Sequence, residues 1–146
     1  MNVILVPVTI HTTAEQLKAA LGKAIDLYQL EGVRIHLLSV QPRLSVRVAE
    51  LLPEENVRQY QIEEGQDSLK AARKVLTAAD VPFYTHVEIG RSAETIVRIS
   101  RAFHCDLILM GDQSGSGGIA QRLFGSLASQ VRHLLDSASA GTVTVV

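Results

Sequence analysis

One cysteine, Cys105, stands in 146 residues, so an intramolecular disulfide is impossible and the fold must rest on its apolar core. Tryptophan is absent, and three Phe with three Tyr leave few flat platforms on which exposed bases could stack. Excess positive charge is missing as well. Fourteen Lys plus Arg against 15 Asp plus Glu give a net charge of −1, and no segment gathers the cations into a stripe that would follow a phosphate backbone. No apolar run approaches the roughly 20 residues of a membrane span. The opening Met1-Asn2-Val3-Ile4-Leu5-Val6-Pro7 lacks the basic start and the apolar length of a signal peptide. A cytoplasmic protein with neither nucleic-acid nor membrane partners is expected.

What is present fits a globular domain: 47% apolar and 20% charged residues. A chain of about 150 residues buries roughly two thirds of the surface its unfolded form exposes, enough for one domain over residues 1–146 without metal. Val3-Ile4-Leu5-Val6-Pro7-Val8 is a short, nearly continuous apolar run rich in β-branched residues, as in a strand covered on both faces. Thr12 and Thr13 precede Glu15 and Gln16 by three residues, forming two overlapping capping boxes, and Leu17, Ala20, Leu21, Ala24 and Leu27 follow at helical spacing up to Glu31-Gly32.

That alternation continues. Residues 33–40 read as a strand and 62–79 as a helix, with a looser stretch at 42–58 that holds a helical turn near Val46–Leu52. Residues 83–89 read as a third strand, Ser92 as the cap of a third main helix, and Asp106–Gly111 as a fourth strand. Ser126 then caps a last helix, and Thr142–Val146 closes as a fifth strand. Strict alternation of strand and helix predicts an open α/β fold with a twisted, five-stranded parallel sheet, right-handed crossovers and helices on both faces.

In such sheets ligands sit beyond the carboxyl ends of the strands, where strand order reverses. The loop after the fourth strand, Gly111-Asp112-Gln113-Ser114-Gly115-Ser116-Gly117-Gly118, then Ile119 to Phe124 and Gly125-Ser126, is rich in glycine and opens a helix. Its backbone amides and the helix N-terminus suit a phosphate; the same composition also makes surface linkers. A Walker A loop is excluded by the lack of Gly-Lys-Ser/Thr, and a nucleophile elbow by the lack of Gly-x-Ser-x-Gly. The Gly115-Ser116-Gly117-Gly118-Ile119-Ala120 match to a dinucleotide fingerprint falls after the wrong strand and is coincidental.

Val3–Val8, His36-Leu37-Leu38-Ser39-Val40, Gly90-Arg91-Ser92-Ala93 and above all Asp106-Leu107-Ile108-Leu109-Met110-Gly111 carry a resemblance that covers essentially the whole chain. The sequence resembles a single-domain universal stress protein, of the adenine nucleotide alpha hydrolase-like fold. ATP-binding members carry Gly-x2-Gly-x9-Gly-Ser/Thr in this loop. Gly115, nine residues and Gly125-Ser126 match its second half, while three residues separate Gly111 from Gly115. Thr9 stands where ATP-binding members usually place a nucleotide-contacting Asp.

The resemblance implies strand order 3-2-1-4-5 and a sensor or regulatory module for ATP or another adenine nucleotide. Pro7, Val8, Thr9 and Val40 would line the adenosine end. Gly111, Gly115, Gly118, Gly125, Ser126 and Leu127 would hold the phosphates. Asp112 is the candidate for a Mg²⁺ beside those phosphates, and for any slow hydrolysis. The missing Asp leaves open a second reading, a protein of the same fold that has lost ATP and acts through protein partners alone.

No other catalytic constellation is present. His11, His36, His86, His104 and His133 lack metal-ligand spacing; His11 alone falls in a loop where the ligand is expected. Cys105 reads as a packing residue. As an edge without Lys, Pro or internal Gly, the C-terminal strand Thr142-Val143-Thr144-Val145-Val146 is expected to pair with its copy in a homodimer.

Overall fold

A computed structural model describes residues 2–44, 53–111, 126–137 and 143–146. Within them the strands are β1 (Val3–Val8), β2 (Arg34–Gln41), β3 (Tyr84–Ile89), β4 (Leu107–Ile108) and β5 (Thr144–Val145). The helices are α1 (Ala14–Glu31), α2 (Glu54–Ser68), α3 (Lys70–Ala78), α4 (Ser92–Ala102) and α5 (Leu127–Ser137). All pairings are parallel, in the order β3-β2-β1-β4-β5.

The continuous apolar run of β1 is explained by burial on both sides, one face for each parity of residue. Ile4, Val6 and Val8 pack with Ala20, Leu21 and Ala24 of α1 and with Leu69, Ala72 and Leu76 around α3. Leu5 faces the other way, with Leu38, Val40, Ile96, Val97 and Ile99 and with Ala128 and Val131 of α5. Helices α1 to α3 therefore cover one face of the sheet, and α4 and α5 the other. No described helix is long and apolar enough to cross a membrane.

Helix α1 begins with a single capping box. Thr13 Oγ1 accepts from the Gln16 N–H at 3.1 Å while Gln16 Oε1 accepts from the Thr13 N–H at 3.0 Å. Gly32, in the left-handed region at φ 68°, ends the helix by donating to the Tyr28 carbonyl. At the other expected cap the structure differs: Ser92 is already helical, and the cap position is Arg91, without a side-chain cap bond.

The expected helix over 62–79 starts earlier, at Glu54, and breaks at Leu69. Pro53 sets the start and two acids occupy the first turn, a favourable placement toward the positive end of the dipole. The break has a local cause. Ser68 Oγ donates back to the Gly65 carbonyl at 2.7 Å and Arg73 Nη2 donates to the Gln66 carbonyl at 2.9 Å, so side chains take acceptors that the helical ladder would use. Gly65 lets α2 lie close on β3, since a Cβ there would overlap Val87. The turn expected near Val46–Leu52 lies outside the described residues, as do Thr142 and the approach to β5.

Candidate ligand-binding site

Strand order reverses between β1 and β4, where the chain leaves toward β2 and β3 and later returns to the opposite side of β1. Two clefts open at the carboxyl end of this junction. The smaller, about 70 Å³, is lined by Pro7, His11, Thr12, Gln16, Met110, Ser126, Leu127 and Ala128. The larger, about 870 Å³, runs between the start of α4 and the flank of α5, with Arg91, Ser92 and Glu94 on one side and Ser129, Gln130 and His133 on the other. His11, Ser126 and Leu127 line both.

The chain turns sharply after β1. The Thr9 N–H donates to Thr12 Oγ1 at 2.9 Å, the Thr12 N–H donates to the Thr9 carbonyl at 3.1 Å, and the His11 N–H donates to Thr9 Oγ1 at 3.1 Å. Thr9 is thereby closed into its own turn and buried. Thr12 and His11 face the clefts instead. At the start of α5 Ser126 Oγ accepts from the Ser129 N–H at 3.1 Å, the cap expected from the sequence.

Of the residues nominated for the adenosine end, Pro7 lines the smaller cleft, whereas the Val8 and Val40 side chains are buried in the two cores. Ser126 and Leu127 stand on the walls as expected. Gly111 follows β4 at φ 62°, and a Cβ there would strike the Gln16 carbonyl of α1. Its glycine identity is required by that close approach, independently of any phosphate. Gly115, Gly118, Gly125 and Asp112 lie outside the described residues.

Sequence reasoning did not nominate Thr12, Gln16, Met110 or the α4–α5 flank. The capping pattern marked Thr12 and Gln16 only as helix-start residues. Nothing local marks the flank, because α4 and α5 are distant in the sequence and come into contact only in the fold. The acid on the described walls is Glu94, 3.7 Å from Arg91. With no cluster of three or more His, Cys, Asp or Glu among the described residues, they do not by themselves compose a divalent-cation cage.

Farther down the sheet the β2–β3 register brings together two histidines 50 residues apart. His36 Nδ1 and His86 Nε2 lie at 2.8 Å, within a stack completed by Phe103 and Tyr84. Burial lowers both pKa values. The neighbouring His86 and then Arg34 lower that of His36 further, while Glu88 partly offsets the effect at His86. Cys105 is buried, as its packing role required, and its thiol is pushed up to about 12 by burial and then by the Asp106 carboxylate.

The model of the universal stress protein family matches residues 1–137. Three solved structures share the fold. A universal stress protein in complex with cAMP superposes with a TM-score of 0.70 at 17% identity, over 99% of this chain and 96% of that one. A protein of the family from Burkholderia pseudomallei gives 0.64 at 19% identity, over 98% of this chain and 94% of that one. The universal stress protein from Archaeoglobus fulgidus in complex with dAMP gives 0.63 at 18% identity, over 99% and 96%.

Proposed function

The chain belongs to the universal stress protein family, and from that premise we propose that it is a regulatory or sensor module that binds an adenine nucleotide, ATP or a relative, at the carboxyl ends of β1 and β4. The observation that carries this reading is the pair of adjacent clefts at the point of strand reversal, which share His11, Ser126 and Leu127 as lining at the N-terminus of α5. Pro7 and the main chain around Val8, Thr9 and Val40 would meet the adenosine. Gly111, Gly115, Gly118 and Gly125 with Ser126 and Leu127 would meet the phosphates, where free N–H groups and the helix dipole favour negative charge. Similar proteins crystallised with cAMP and dAMP support the adenine class. Asp112 would hold a Mg²⁺ beside those phosphates.

A second reading, an interaction protein of the same fold without nucleotide, is favoured by Thr9, whose hydroxyl is engaged within its own turn. One experiment separates the two. Purified protein is denatured and the released small molecules are identified by mass spectrometry, alongside calorimetric titration with ATP, ADP and AMP at millimolar concentration. Released nucleotide or saturable heat supports the first reading; neither, with no thermal shift, overturns it.

Assembly belongs to the same proposal: two copies pair along β5. The N–H of Val145 points away from β4 there, because Thr144 and Val146 supply the bonds to β4. Arg132 Nη2 already donates to the outward Val145 carbonyl at 3.0 Å, so pairing would displace that contact or proceed beside it.

A further inference from the structure

Three residues, His11, Ser126 and Leu127, line both clefts. Of these, His11 carries the one titratable side chain. Its main chain is anchored by the bond to Thr9 Oγ1, inside a turn closed at both ends by Thr9 and Thr12. The residue is exposed where both clefts border the first residues of α5. On the described walls of the larger cleft the remaining titratable groups are Arg91 and Glu94 of α4, which pair with each other, and His133 of α5. In the smaller cleft the described walls from β1, α1, β4 and α5 contribute none besides His11.

We infer that His11 contacts the ligand, its imidazole N–H donating to a phosphate oxygen of an adenine nucleotide where both clefts border the N-terminus of α5. This rests on the nucleotide reading above. Neutral Thr9 places no opposing charge next to the anion, and the imidazole adds a side-chain donor beside the free N–H groups of the helix start.

The test is calorimetric titration of the full chain with ATP, cAMP and adenosine at one pH. His11→Ala is expected to bind ATP and cAMP about three- to tenfold more weakly than wild type, the loss of one exposed polar contact to an anion, and adenosine equally. His11→Lys keeps a donor at this position and should bind cAMP at least as tightly as wild type; it is the variant to read should His11→Ala melt early, and a weaker cAMP affinity for it overturns the inference. If wild type gives no heat with any of the three, the nucleotide reading falls and this inference with it. If wild type binds cAMP but His11→Ala binds it equally, or loses adenosine to the same extent, the inference alone is overturned.

Discussion

His36 Nδ1 and His86 Nε2 share one hydrogen bond at 2.8 Å, which at most one of the two nitrogens can donate while the other accepts as a neutral base. Adding a second proton to the pair breaks that bond and places two positive charges in contact inside an aromatic stack. Both folded-state pKa values lie below the ordinary value of 6.5. The unfolded chain therefore binds protons first as pH falls. The pair's stability is complete above 6.5 and is lost progressively as pH drops toward the folded values. The melting temperature should fall between pH 7 and pH 5, and the double variant His36→Phe/His86→Phe should flatten that slope. An unchanged slope in scanning calorimetry would place the acid sensitivity elsewhere.

Two left-handed glycines should respond differently to alanine. At Gly32 the added methyl meets open space, so only the φ of 68° opposes it, at about 1 kcal/mol or a few degrees of melting temperature. At Gly111 the same strain is joined by collision with the Gln16 carbonyl, and about 2 to 4 kcal/mol is expected. Equal melting temperatures for the two variants would mean that the β4–α1 approach is looser than described.

Cys105 should be inert while the chain is folded. Its thiol, buried and raised to about 12, holds almost no thiolate at pH 8. A chromogenic disulfide reagent should modify it only at the rate of unfolding, and immediately in denaturant. Prompt reaction of native protein contradicts the burial.

Val145→Pro tests assembly without cutting the intrachain ladder, because the Val145 N–H points away from β4. Light scattering at tens of micromolar should find a dimer for the wild type and a monomer for the variant. A wild-type monomer, or a dimer unaffected by the proline, rules out pairing along β5.

Much of the architecture could be read along the chain because the signals are local. The apolar run at Val3–Val8, the Thr13–Gln16 capping box, Gly32 at the helix end and Ser126 before α5 each depend on neighbours within a few residues, and each is where the pattern put it. Helix continuity was less legible. The 62–79 pattern is periodic, yet Ser68 and Arg73 take backbone acceptors and interrupt it at Leu69, a competition that apolar spacing does not register.

The candidate site divides along the same line. Strand–helix alternation directed the search for a ligand to the loops at the carboxyl ends of the strands, and the family resemblance narrowed that expectation to β1 and β4 with Ser126 and Leu127. Only the tertiary structure buried Val40 against α4, set Gly111 against Gln16 and brought His11 beside the start of α5. It also brought His36 to His86, which the β2–β3 register decides. These are contacts between segments up to about a hundred residues apart. Their partners are chosen by register and by which face each helix covers, and neither is encoded in the local spacing of apolar residues.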